Sequence, residues 1–239
     1  MNLLLLDTET TGIDAKKFRV VEVAAAIYNV ETRCILWHHG SLCSVPDGHE
    51  WDPVARRVNG ISDESLAALV ASQLGDGWER ILQAARAADV TAVVAHNTEF
   101  DKSHAAESCP KLVEEFGWIC SKDDFKYPQE GTGRRLDYLC ADHGIVSIGP
   151  FRHRAFWDVL LIAAMFNLIP DLEDQVRRAL VPKAEFRGLH AYEQNEEAKK
   201  HGFRWVNESG KKGWFAKLPV STPTDPTPER PFSIVKTGG

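Results

Sequence analysis

The sequence predicts an α/β domain in which a mixed sheet carries helices on its faces. Three observations carry that prediction. The run Leu3-Leu4-Leu5-Leu6 is continuously apolar, as a strand buried on both sides is. Residues 20–28 and Cys34–Leu42 are rich in Val, Ile, Leu and aromatics and are separated by a polar turn at 29–33, so they extend the first strand into a meander. A β-branched run at 91–95 then follows a helical pattern, the order that pairs a strand parallel with the first. Strands that meander and then alternate with helices build a mixed sheet.

The helices follow in order. Ser62 is an N-cap with Ser65 at its third helical position, ahead of an apolar Leu66/Leu69/Val70 face. Ile81, Leu82 and Ala85 give residues 78–88 a helical period, and Thr98–Ser108, 135–142 and 156–167 read as further helices. This domain covers residues 1–182. Residues 183–218 form a compact basic and aromatic module with a strand at 185–190, a helix at 193–201 and a hairpin pairing 203–206 with 214–217. Residues 219–239 place five prolines among Ser and Thr, the composition of a disordered tail.

The chain has 239 residues, 44% apolar and 26% charged. That composition excludes a wholly disordered chain, a fibrous repeat and a small disulfide scaffold. The net charge is −6: −9 over residues 1–182, +3 over 183–218 and zero beyond. A basic coat protein is excluded on those grounds, but an enzyme that meets nucleic acid through metal ions is not. Five cysteines without a CxxC pair, and an N-terminal apolar run that stops at Asp7, predict reduced thiols in a cytoplasmic protein. No membrane is expected, because the longest apolar stretch, 159–168, is about half the length of a span.

Three acidic motifs carry the chemistry. Asp7-Thr8-Glu9-Thr10-Thr11-Gly12 follows the first strand, so Asp7 and Glu9, two residues apart, point to one side. Adjacent carboxylates repel unless a cation lies between them. His96-Asn97-Thr98-Glu99-Phe100-Asp101 follows the strand at 91–95 and puts Asp101 in the first turn of a helix, where a carboxylate also complements the helix dipole. His153-Arg154-Ala155-Phe156-Trp157-Asp158 opens an apolar helix, and Asp158 there is costly without a partner or a metal. A phosphatase of the D-x-D-x-T type would need aspartate where Glu9 stands and would leave His153 idle.

In this order and spacing, D-x-E at Asp7 and Glu9, the second aspartate at Asp101 and H-x4-D at His153 and Asp158 resemble the DEDD superfamily of DnaQ-like 3′–5′ exonucleases, DEDDh branch. The resemblance covers about residues 1–170 and extends to Thr10-Thr11-Gly12, His96-Asn97, Phe100 and the segment 54–62, where Asn59 stands in place of the family's usual His. Trp118-Ile119-Cys120 resembles the exonuclease X and proofreading-subunit subgroup. The resemblance implies a ribonuclease H-like five-stranded mixed sheet with helices on both faces. It also implies a metal-dependent 3′–5′ exonuclease that releases nucleoside 5′-monophosphates from single-stranded ends, with DNA favoured. An RNA-directed enzyme and a proofreading subunit acting with a polymerase or replication partner stay open.

The implied roles run residue by residue. Asp7, Glu9, Asp101 and Asp158 hold two divalent cations, Mg²⁺ or Mn²⁺, with Asp7 bridging. His153 is the general base toward the attacking water. Thr10 and Thr11 meet the terminal sugar and Ile13 the terminal base. His96 and Asn97 line the cleft, and Arg152 and Arg154 meet phosphates. The 183–218 module, with its A-K-K-H-G-F-R-W signature, resembles a small β-α-β-β module of phage and plasmid proteins. Its aromatics serve either as a minidomain core or as stacking platforms, and its lysines suit nucleic acid.

Overall fold

The structure, a computed structural model, describes residues 1–46, 48–68, 74–129, 133–145, 153–208 and 210–237, with the backbone alone at 68 and 74. The chain divides into two compact units, Met1–Leu180 and Val181–Gly239.

In the first unit, strands β1 (Asn2–Thr10), β2 (Val20–Asn29), β3 (Cys34–Leu42), β4 (Val90–Ala95) and β5 (Gly117–Cys120) form one sheet in the order β3-β2-β1-β4-β5. The first three pair antiparallel, while β1–β4 and β4–β5 pair parallel. The apolar run is therefore the central strand, and Leu3 to Leu6 are fully buried. Its alternation divides the core. Leu4 and Leu6 pack with Val23, Ala25 and Val93 beneath Trp78, Ile81 and Leu82 of α3 (Leu74–Ala87), Ala105 of α4 (Thr98–Ser108) and Leu112 of α5 (Pro110–Glu115). Leu3 and Leu5 pack with Ala24, Ala26 and Tyr28 against Val159, Ile162 and Phe166 of α7 (Ala155–Asn167) and Val176 of α8 (Leu172–Ala179). Helices on both faces of a five-stranded mixed sheet make this the ribonuclease H-like architecture.

Four expected helices appear within a few residues of their predicted limits as α3, α4, α6 (Leu136–Asp142) and α7. The Ser62 cap is present too: Ser65 N donates to Ser62 Oγ at 3.2 Å and Ser62 N to Ser65 Oγ at 2.9 Å, at the start of α2 (Asp63–Ala68). Leu66 is buried with Val21 and Ile61, whereas Leu69 and Val70 lie outside the described residues. The stretch before α2 is itself helical, α1 (Pro53–Asn59), between an Asp52 cap and Gly60 at φ 67°. No single helix among the described residues is long and apolar enough to cross a membrane.

The second unit is a four-stranded antiparallel sheet in the order β7-β8-β6-β9, from β6 (Lys183–Leu189), β7 (Arg204–Glu208), β8 (Lys211–Pro219) and β9 (Ser233–Lys236), with a short helix α9 (Asn195–Lys200). Strand, helix and hairpin fall where the sequence predicts them. The disordered tail does not: β9 pairs with β6, and Phe232 and Ile234 are buried with Phe186, Ala198, Phe203 and Ala216. The physical reason is Arg230. Its buried guanidinium donates to the carbonyls of Phe232, Pro223 and Asp225, so the proline-rich loop gains a fixed internal scaffold. Of the four aromatics weighed as core, Phe203 is fully buried, Trp214 and Phe215 are half-buried, and Trp205 is exposed.

A chain ended after Leu218 therefore loses one sheet edge and two core side chains. Burial of one Phe or Ile side chain alone is worth about 1.5–3 kcal/mol. Limited proteolysis of the truncated chain should cut rapidly within 183–218, where the full chain resists. Equal resistance of the two proteins would refute a structural role for 219–237.

Candidate active site

The alternation that buries Leu3 and Leu5 under α7 continues to Asp7 and Glu9, so both carboxylates emerge on the α7 side of the sheet. Thr8 points the other way and takes hold of Asp101: its backbone N–H and its hydroxyl both donate to Asp101 Oδ1, at 3.0 and 2.8 Å. Asp101 lies in the first turn of α4 and is almost fully buried. From the opposite layer, α7 supplies Asp158 in its first turn, and His153 lies on the turn just before that helix. Ligand atoms of Glu9, His153 and Asp158 all fall within 4.8 Å of one another. His153 adopts φ 55°, a left-handed conformation that a non-glycine residue holds only where its surroundings impose it.

The electrostatics follow from that crowding. Burial, and then the charges of Asp101, Asp158, Glu9 and Glu22, hold the Asp7 carboxyl well above the ordinary range. Burial, Asp158, Glu22 and Asp101 do the same to Glu9, and Arg154 opposes them. Asp101 is pushed up to about 7, chiefly by burial, although both Thr8 hydrogen bonds favour its ionised form. Asp101 therefore exchanges its proton near neutral pH. Buried carboxylates this close stay ionised together only with a counter-charge among them. An oxygen-rich donor set with one imidazole fits a hard divalent cation.

One residue of the site has no counterpart in the sequence reading. Glu22 stands directly across from Glu9 in the β1–β2 ladder and is buried. It accepts a fork from Arg154, Nε to Oε2 at 2.9 Å and Nη2 to Oε1 at 3.0 Å, and it also accepts the Ala155 N–H at 3.1 Å. Glu22 thus fixes the first turn of α7, which carries Asp158. The signal was a lone glutamate in the otherwise apolar Val20-Val21-Glu22-Val23-Ala24.

The residues expected at the substrate divide. Ile13 is 77% exposed beyond a turn in which Thr10 Oγ1 donates to the Gly12 carbonyl at 2.7 Å. Gly12 is required there, because a Cβ would come within 2.5 Å of the Phe18 ring. Thr11 and Thr10 are buried: Thr11 Oγ1 bonds His49 Nε2 at 2.8 Å, and Asn59 Nδ2 donates to the Thr10 carbonyl at 3.0 Å. Their hydroxyls shape the turn. Asn97 is exposed at the start of α4 with φ 92°.

His96 is committed elsewhere. Its Nε2 donates to the Arg134 carbonyl at 2.8 Å, which leaves Nδ1 to accept from Ser121 Oγ at 2.9 Å, and burial lowers its pKa to about 4. The neutral ring pins two loops together. Arg154 is likewise held by Glu22, and that fork uses two of the nitrogens a phosphate would take. Arg152 lies outside the described residues.

The family model for exonucleases of the RNase T type matches residues 4–166. No curated protein matches the sequence. Among solved structures, one of exonuclease I is similar at 18% identity and a TM-score of 0.59, over 78% of this chain and 48% of that one. Escherichia coli exonuclease I bound to a dA16 oligonucleotide is similar at 17% identity and 0.57, over 79% and 48%. The zinc-bound form of its complex with single-stranded DNA is similar at 18% and 0.58, over 80% and 48%. The chain thus spans about half the length of these structures, and likenesses at this identity establish the fold.

Two outcomes follow from the geometry. Asp101 binds a proton up to about pH 7 when folded, but only near pH 4 when unfolded. Its contribution therefore lowers metal-free stability as pH rises from about 4 to about 7 and stays unfavourable above that. Metal-free Asp101→Asn should melt above the parent at pH 8, with the gap narrowing through pH 5 and closing near pH 4. A gap independent of pH would refute the shift. Glu22→Ala should cut cleavage on the order of 10–100-fold and weaken metal saturation, with partial recovery in Glu22→Gln, which keeps an acceptor for Ala155. Parental metal saturation in Glu22→Ala would show that the fork does not position Asp158.

Proposed function

The chain belongs to the exonuclease family, and we propose that it is a metal-dependent 3′–5′ exonuclease acting on single-stranded DNA, with nucleoside 5′-monophosphates as products. The observation that carries this reading is the meeting of Glu9, His153 and Asp158 in one cluster with Asp7, whose carboxyl burial and the neighbouring charges of Asp101, Asp158 and Glu9 push up. The oligonucleotides bound to the exonuclease I structures support a single-stranded substrate.

Asp7, Glu9, Asp101 and Asp158 would hold two ions, Mg²⁺ or Mn²⁺, which supply charge neutralisation at the scissile phosphate when bound. The remaining steps belong to the chain. Neutral His153 accepts a proton from the attacking water through a ring nitrogen. The water oxygen forms a bond to phosphorus, the bond from phosphorus to the 3′-oxygen of the penultimate nucleotide breaks, and the terminal nucleotide departs with a 5′-phosphate. Ile13, exposed beyond the turn, packs against the terminal base, and Thr10 and Thr11 keep that turn in shape. Glu22 holds Arg154 and the α7 terminus so that Asp158 faces Glu9.

Single-turnover cleavage of 5′-labelled single-stranded DNA and RNA with Mg²⁺ or Mn²⁺ tests the reading. The parent should shorten the DNA stepwise from its 3′ end, and Asp7→Ala should be inert. His153→Ala should lose about 10²–10⁴-fold in rate while metal saturation stays near that of the parent. Shortening from the 5′ end, RNA as the better substrate, or an active Asp7→Ala would each overturn a named part of the proposal.

A further inference from the structure

The sheet of the second unit has two unlike faces. Phe186, Ala216 and Ile234 alternate onto the face that packs Ala198 of α9 and Phe203. The residues between them, one step away on each strand, point to the other face. There the pairing register sets Arg204 opposite Phe215, Phe215 opposite Arg187, and Arg187 opposite Val235, a single row across all four strands. Lys217 and Lys183 lie on the same face, and both arginines and both lysines are exposed. Glu185, also on this face, is ion-paired with Lys211, whose ammonium lies 4.7 Å over the Phe215 ring. Gly213 leaves room for the row: a Cβ there would come within 3.1 Å of Arg187 Nε.

We propose that this face binds single-stranded nucleic acid, with Arg187, Arg204 and Lys217 on its phosphates and its bases against Phe215 and the guanidinium planes. The proposal rests on the exonuclease reading for its choice of polyanion. Charge and shape support it together. The face carries five Lys or Arg against Glu185 and Glu208, on a chain whose residues 1–182 have a net charge of −9, so it is a local cationic patch to which phosphates are drawn. An aromatic flanked by two arginines at about 10 Å spacing, two inter-strand steps apart, offers planar surfaces to unpaired bases. A duplex hides those base faces.

Anisotropy of labelled 20-nucleotide DNA, RNA and duplex DNA, read in EDTA with the full chain over a salt series, tests this without cleavage. Arg187→Glu with Arg204→Glu should weaken single-strand binding at least tenfold and reduce the salt slope by about 1.4, two phosphates at about 0.7 each. Lys217→Glu, a single exposed change, should give a smaller loss in the same direction. Lys199→Glu with Lys200→Glu, on α9, should stay within about twofold of the parent. Unchanged affinity and slope in the arginine variant, an equal loss in the α9 variant, or duplex bound as tightly as single strand would each overturn the proposal. Binding lost in the arginine variant while the parent cleaves no nucleic acid would overturn the exonuclease reading and leave this one standing.

Discussion

Mutual repulsion among buried carboxylates is the constraint on which the rest of the first unit turns. Asp7, Glu9 and Asp101 each have a raised pKa, and Asp158 contributes to all three shifts. Such a cluster tends to splay its own walls apart, so each carboxylate has to be tied down by something other than its neighbours. Thr8 ties Asp101 with two hydrogen bonds from the central strand. The ladder between β1 and β2 ties Asp7 and Glu9, because both belong to the central strand of the sheet. Asp158 depends on α7, and α7 is fixed at its start by Glu22. The cost of holding like charges together is offset by the apolar packing beneath them, and a divalent cation relieves it.

Glu22 shows how an acidic residue can serve the site without being a ligand. It adds negative charge next to Glu9, which by itself worsens the repulsion. The Arg154 fork neutralises that charge and turns the pair into a clamp on the helix. A neutral acceptor could cap Ala155 but could not also hold a guanidinium in a fixed plane. The pairing of Arg154 with Glu22 is therefore part of the architecture of the cluster, and an arginine placed next to a motif histidine in sequence need not face the substrate.

The fold of the first unit was largely legible because its signals are local. Leu3 to Leu6, the meander after them and the period of Ile81, Leu82 and Ala85 each announce one element, and the order of elements limits the topology. The acidic motifs were legible for the same reason: each is short and follows a strand or opens a helix. Glu22 and the duties of His96 were not, because they depend on partners far away in the chain, Arg154 and Ala155 for one, Ser121 and Arg134 for the other. Composition misled in the tail. Prolines at 219, 223, 226, 228 and 231 argue for disorder, yet the two-residue alternation of Phe232 and Ile234 is a strand signal, and one arginine satisfies three carbonyls of the proline-rich segment.

Under the proposed function, the distribution of charge poses a physical problem. Residues 1–182, at a formal net charge of −9, repel a polyanion at the range set by screening, about 8–10 Å at ordinary ionic strength. Cations held among the carboxylates would act only at the site itself. Capture at longer range needs fixed positive charge, and the second unit has it in ordered form, with arginines held in register by four paired strands rather than on a loose tail. This gives β9 a role beyond packing: as the fourth strand it holds the Arg187 strand between two neighbours, so the row of charges stays in register.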